Sequence, residues 1–353
     1  MKWVSKVGVC LLALASDFIL AGQVPVDLKI ISTNEQPRAP RQSPTVSSGE
    51  LYMVIDLSGG TNATSYPVFY LNSAPADGWP DVYKTTKLVM RRIPKGTFMM
   101  GSPSNELGRL RFSNETQHTI TLTKDFYIGV FEVTQRQWEL VMGNRPSYFT
   151  NQTCYASRPV EQVSYYDIRE NPANNAISPN WPASSHVHTD SFMGKLRGKT
   201  GLSTFDLPTE AQWEYACRAR ITTALNTGFN LKNADNDPRM DMAGRYWQNG
   251  LKVYGCDHSE NTRGGTAKVG SYLPNAWGLY DMHGNVWEWC LDWYGTYPGT
   301  LSDPLGTASG SDRVIRGGSW YYLAYYCRSA FRGLIYPSFQ NDSFGFRVVR
   351  ALP

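Results

Sequence analysis

Apolar and polar positions along this chain change rhythm several times. LYMVIDLSGG (51–60) is an apolar run closed by Ser-Gly-Gly, and YPVFYLNSAP (66–75) has the same form; each predicts a strand ended by a turn. KTTKLVMRRIPKGTFMMG (84–101) alternates and ends in glycine, the pattern of a hairpin opening a domain. Helical spacing is rarer, and each case carries a start signal. In TQRQWELVMG, Thr134 and Gln137 form a capping box, Trp138, Val141 and Met142 share one face, and Gly143 stops the run. Thr209 and Gln212 repeat the device ahead of WEYACRA, which turns Trp213, Ala216 and Cys217 inward. Ser164 to Asp167 begins a third helix. Beyond residue 220 turn formers dominate, which predicts loops and short strands. The pattern predicts an α+β fold with two or three helices and low regular secondary structure. It holds no internal repeat and no heptads.

Composition narrows this picture. Charged residues are 18% of the 353, against roughly 25% in ordinary domains, while aromatics are 13%. With 11 Trp and 21 Tyr, apolar area is ample to offset chain entropy, which argues against intrinsic disorder. The 31 Gly and 21 Pro, spread over the whole length, exclude a coiled coil. A net charge of +4 gives no reason to expect nucleic acid as a partner.

The first residues, MKWVSKVGVCLLALASDFILAGQ, join Lys2 and Lys6 to a short apolar run and small residues suited to cleavage. Residues 1–22 therefore read as a signal peptide, too short for a membrane span. The expected location is secreted or periplasmic, with no membrane association after cleavage. Residues 23–83 read as a Pro-rich linker and N-terminal extension with short strands, and residues 84–353 as the main domain. Of the 6 Cys, Cys10 leaves with the signal, so an odd number remains and at least one thiol has no partner within the chain. No CxxC pair is present. Export would permit disulfides.

Candidate chemistry gathers near the C-terminus. In GLYDMHGNVWEW, Asp281 and Glu288 flank Gly284. The motif reads either as a turn packing Tyr280, Trp287 and Trp289, or as hard oxygen ligands for calcium. His283 within it reads as a hydrogen-bonded residue before a ligand, and His186 with His188 lacks a third ligand at a readable spacing. Arg316, Arg328, Arg332 and Arg347 are either structural, stacking on rings and bonding carbonyls, or the lining of a cleft for an acidic or extended peptide.

In order, the chain carries RIPKGTFMMGS (92–102), DFYIGVFEVTQRQW (125–138), RPVEQVSYYDI (158–168), FDLPTEAQWEYACRA (205–219), NAWGLYDMHGNVWEWCLDWY (275–294), RVIRGGSW (313–320) and FGFRVVR (344–350). Together these resemble the formylglycine-generating enzyme, or sulfatase-modifying factor, family over roughly residues 84–352. The resemblance implies a C-type-lectin-like α+β fold. It implies a structural calcium held by the side chains of Asp281 and Glu288 and the carbonyls of Gly284 and Val286. A second calcium site of the family has no match around residues 243–265. The implied activity is oxidation of a cysteine on an exported sulfatase to formylglycine, with copper(I) held by two thiolates.

Cys327 stands at the second thiolate position, and Ser319 and Trp287 match pocket residues. Tyr322 replaces the first copper-ligand cysteine, and a phenol does not substitute for a soft thiolate. Ser343 stands where the oxidases carry Asn. Cys290 and Cys327 read as a disulfide or two buried thiols, with Cys290 as a surrogate ligand the other reading. Cys217, inward on its helix, reads as core. The alternative function is a non-catalytic lectin-like module that binds a peptide, a glycan or a partner protein. The rings of Trp320, Tyr321, Tyr322, Tyr325 and Tyr326 favour it.

Overall fold

The computed structural model describes residues 50–110, 114–150, 154–250 and 264–352. The signal segment 1–22, the linker to residue 49, Cys10 and Cys256 lie outside the described residues. The description below concerns the compact unit that falls within Arg38–Pro353.

Thirteen short strands are described. A six-stranded sheet runs in the order β2-β1-β3-β6-β13-β7. Its members are β1 (Tyr52–Asp56), β2 (Val68–Leu71), β3 (Lys87–Ile93), β6 (Phe126–Gly129), β7 (Phe205–Asp206) and β13 (Val349–Ala351). The strands expected at 51–60 and 66–75 are β1 and β2, and β1 pairs with β3 so that Val54 faces Val89. The extension before residue 84 is therefore part of the main sheet from residue 52 onward. A second sheet, β11-β10-β8-β12, comprises β8 (Trp287–Trp293), β10 (Arg313–Arg316), β11 (Gly333–Ile335) and β12 (Phe344–Gly345). A third, β4-β5-β9, holds β4 (Gly96–Met100), β5 (His118–Leu122) and β9 (Leu301–Ser302).

The expected hairpin over 84–101 does not form. β3 spends its two ladder edges on β1 and β6, while β4 pairs with β5 in another sheet. Pro94, which has no N–H to donate, ends the β3 ladder and the chain turns the corner there.

The two expected capping boxes form, and a third opens the helix expected at Ser164. α2 (Gln135–Met142), α3 (Tyr165–Ile168) and α5 (Glu210–Arg218) start at Thr134, Ser164 and Thr209, each with both reciprocal bonds formed. Gly143 closes α2 in the left-handed conformation, at φ 85°. Helices of four residues, α1 (Val82–Thr85) and α6 (Met240–Ala243), and a longer one, α4 (Phe192–Thr200), complete the set. α4 has an N-cap at Ser191 and a left-handed Gly201 at its end, but its apolar residues Phe192, Met193 and Leu196 make too short a stripe to predict it from spacing.

β8 explains how the unit holds together. All seven of its residues, WEWCLDW, are buried. Trp287, Trp289 and Leu291 face one apolar core with Ile315 and Phe331; Cys290 faces a second with Trp213 and Val314. A strand buried on both faces must neutralise the acids it carries. Arg347 pairs with Glu288 at 2.6 Å, and the backbone N–H of Glu210 donates to Asp292 at 2.7 Å.

Candidate functional site

The GGS turn and the segment after it bring together the residues expected to form a redox pocket. Gly318 takes φ +74°, and a Cβ there would stand 2.5 Å from Cys327 Sγ, so only glycine lets the turn lie over the thiol. Cys327 is 0% exposed and packs with Ala224, Leu225, Met240, Tyr246 and Ala324. Burial pushes its thiol well above the ordinary range, against a smaller opposing effect of the Ser319 backbone N–H. Ser319 is also buried, and its carbonyl accepts from the backbone N–H of Tyr322 at 3.0 Å.

Tyr322 does not take a thiolate's place. Its ring meets Trp287 edge-on at 5.3 Å and Tyr326 at 5.1 Å, and burial raises its phenol to about 12. Trp287 in turn packs on Phe331 and Tyr326. The structure therefore gathers Ser319, Trp287, Tyr322 and Cys327, but around an aromatic plug and a sealed sulfur. Cys290 is buried in a different core cluster, and it, Cys327 and Cys217 are free thiols. Cys217 is core, as its helical face predicted. Cys154 is disulfide-bonded, and its partner lies outside the described residues.

The expected calcium ligands lie behind this pocket. Asp281, at φ +57°, is buried; its Oδ2 accepts from the Gly270 N–H at 2.6 Å, while Oδ1 has no partner among the described residues. Glu288 is engaged on both oxygens, by Arg347 and by Trp213 Nε1 at 2.7 Å. Gly284, at φ +84°, passes so close to Arg245 that a Cβ would meet its carbonyl oxygen at 1.9 Å. Val286 donates its N–H to Glu132 at 3.2 Å. Glu132 is the member sequence reading missed; its only signal is a lone acid in the apolar FYIGVFEV run. Burial, then the charges of Asp281 and Glu288, hold the Glu132 carboxyl well above the usual carboxylate range. Burial likewise raises Asp281 to about 6. Three buried acids thus share one guanidinium, that of Arg347. The donor set fits a hard cation in part: Asp281 offers an unspent oxygen and the cluster carries surplus negative charge, but Glu288 already has Arg347.

The arginines are structural. Arg328 binds Glu106 and Glu115, Arg332 binds Glu210 through two bonds, Arg316 binds Glu214, and Arg347 binds Glu288. All four are buried. His283 is also buried; its Nδ1–H donates to the Cys327 carbonyl at 2.6 Å and its Nε2 accepts from the Asn226 N–H at 3.0 Å. Burial lowers it to about 4, so it is a neutral structural residue. Among the described residues no group of three or more His, Cys, Asp or Glu is arranged to hold a metal, and this includes His186 and His188.

Over this frame lies an aromatic surface. Framework residues from Ser319 to Ser343 point in, while Tyr321, Leu334 and Tyr336 are exposed and Tyr322, Tyr325, Tyr326, Ile335 and Phe339 are half-buried. Tyr321 is 55% and Tyr336 49% exposed. No arginine or lysine of this segment reaches solvent, because Arg328 and Arg332 are held inside.

The sulfatase-modifying factor enzyme 1-like domain model matches residues 80–352. The chain belongs to this family. Chaperone protein LppX of Paenibacillus barcinonensis is 31% identical over 255 residues, or 68% of this chain and 84% of that one. The formylglycine-generating enzyme of Mus musculus is 28% identical over 288 residues, 74% of each chain. Among solved structures, Treponema denticola variable protein 1 superposes with a TM-score of 0.57 at 26% identity, covering 76% of this chain and 96% of that one. PvdO from Pseudomonas aeruginosa superposes with a TM-score of 0.56 at 26% identity, over 75% and 95%. The fold is thus the α+β fold of this family, with short elements and long connections.

Proposed function

We propose that this family member is a non-catalytic binding protein that engages a protein partner through the aromatic surface of residues 319–342. One observation carries the reading: where a copper(I) pair needs two accessible thiolates, the chain offers a phenol packed on Trp287 and a thiol with 0% exposure. Outside the pocket this segment exposes Tyr321, Leu334 and Tyr336 and leaves Tyr325, Tyr326 and Phe339 half-buried, with large ring area and few charges, the composition that protein interfaces favour. Relatives on this domain bear names as different as chaperone and formylglycine-generating enzyme, so the scaffold does not fix the chemistry. Oxidation of a sulfatase cysteine is the second reading; family membership supports it and the Tyr322–Cys327 arrangement opposes it.

A structural calcium at Asp281, Gly284, Val286 and Glu288 belongs to this proposal, supported by the unspent Asp281 oxygen. It would neutralise the surplus charge of Glu132 and Asp281 and tie the loop to the core. Export belongs to it as well, and the disulfide at Cys154 fits an oxidising compartment.

The test has two arms. Copper(I) titration of the reduced protein against a competing chelator is expected to show no tight site; a stoichiometric site lost in Cys327→Ser overturns the proposal. Peptides selected from a displayed library on the wild-type protein are expected to lose about tenfold or more in affinity for Tyr321→Ala/Tyr336→Ala. Equal binding to both forms also overturns it.

A further inference from the structure

A cavity of about 510 Å³ opens elsewhere on the unit, and it shares no residue with the aromatic surface. Ligand pockets typically measure about 300–1,000 Å³. Its floor is apolar and buried: Leu122, Phe126, Leu207, Leu291 and Val349. These residues come from β5, β6, β8, β13 and the residue after β7, so the cavity sits where the six-stranded sheet meets the other two.

Its polar groups divide sharply. Asp206 on the inner wall is shared by Arg169 at 2.9 Å and Arg197 at 3.1 Å. Arg197 also donates to the carbonyls of Phe205 and Ser185, at 2.6 and 2.9 Å, and so is a fixed cation. At the rim, Asp125 is paired with Arg92 at 3.0 Å, and Asp303 accepts from the backbone N–H and hydroxyl of Thr123. Two basic rim groups remain unspent. Lys124 and His186 line the cavity, are exposed, and neither side chain has a hydrogen bond or ion pair among the described residues. Trp181 stands beside them half-buried, with its Nε1–H on the Leu305 carbonyl at 3.3 Å, so its ring is fixed.

We infer that this cavity is a second binding site, for a small amphipathic organic anion with a flat apolar body and one carboxylate or sulfonate group. The apolar body would lie on Leu122, Phe126, Leu207, Leu291 and Val349. Its head would reach Lys124 and His186, where a charge at the mouth of a low-dielectric cleft acts strongly. Asp206 and Asp125 are each paired with arginine and both oxygens of Asp303 are bonded to Thr123, so the ionisable groups left without a partner at the mouth are the basic ones, which suit an anion.

Two fluorescent probes test this on the full chain: 1-anilinonaphthalene-8-sulfonate, and N-phenyl-1-naphthylamine, which has the same apolar body without the charge. The sulfonate is expected to bind the wild type at one site. Thr204→Trp, an exposed lining position, is expected to fill the cavity and weaken both probes about tenfold or more. Lys124→Glu is expected to weaken the sulfonate at least about fivefold and leave the uncharged probe within about twofold. Tyr321→Ala/Tyr336→Ala is expected to leave both unchanged. Circular dichroism and melting confirm that each variant is folded, and Ser203→Trp replaces Thr204→Trp if the latter is not. The inference is overturned if the cavity-filling variant binds the sulfonate as the wild type does. It is also overturned if Lys124→Glu affects both probes equally, or if only the aromatic-surface variant loses binding.

Discussion

Replacing Arg328 separates a structural guanidinium from a ligand-binding one. Its Nη1 contacts Glu106 at 2.5 Å and Glu115 at 3.0 Å, its Nη2 contacts Glu115 at 2.9 Å and the Gly108 carbonyl at 2.9 Å, and its Nε donates to the Tyr325 carbonyl at 3.1 Å. The side chain thereby ties Glu106, Gly108 and Glu115 to the aromatic segment. The Arg328 and Glu115 side chains are 0% exposed and Glu106 is 3% exposed. Arg328→Met keeps an apolar stem but leaves two carboxylates without their cation inside the protein, a change that costs about 3–5 kcal/mol. In a domain of this size each kcal/mol moves the melting temperature by roughly 2–4 °C, so a loss of roughly 10 °C is expected. Arg328→Lys is expected to recover only part of it, because one ammonium cannot make the forked contact to Glu115. Urea unfolding and calorimetry measure both. In Arg328→Met/Glu115→Gln the penalties should fall well short of adding. If Arg328→Met melts with the wild type yet abolishes selected-peptide binding, the guanidinium serves a ligand and the structural assignment is refuted.

Asp292 gives a pH test. Burial raises its carboxyl from 3.8 to about 7, so the folded protein holds a proton that the unfolded chain releases in between. Its contribution is full below the unfolded value and is lost as pH rises through about 7. The stability difference between wild type and Asp292→Asn should therefore fall by about 1.4 kcal/mol per pH unit over that interval, measured by urea unfolding; a constant difference contradicts the assignment. Gly318→Ala forces a side chain into a φ of +74° and against Cys327 Sγ, and is expected to cost about 1–3 kcal/mol, partly recovered by Cys327→Ala; calorimetry decides. Calcium added to chelator-treated protein is expected to raise the melting temperature, and Asp281→Ala to abolish the rise. No rise in the wild type removes the calcium proposal.

Part of this molecule was legible because it is local. The boxes at Thr134, Ser164 and Thr209 bond residues three apart, so sequence spacing fixes them. The family motifs placed Ser319, Trp287, Tyr322 and Cys327 on one pocket, because they lie in the two segments that β8 and the GGS turn bring side by side. Other features depend on partners distant in sequence. Whether residues 84–101 make a hairpin depended on β1 and β6 claiming both edges of β3. Whether the arginines face a ligand depended on acids 213 residues away for Arg328 and 59 away for Arg347. Charge says that an arginine needs a counterion; it does not say which carboxylate the fold will deliver. The sequence by itself determined the family, the starts of α2, α3 and α5 and the missing thiolate, since each is a matter of residue identity and short spacing. The tertiary structure alone decided that the remaining thiol is sealed, that Glu132 joins the acid cluster, and that Tyr321 and Tyr336 face outward while Tyr322 packs inward, because burial is a property of the whole packed chain.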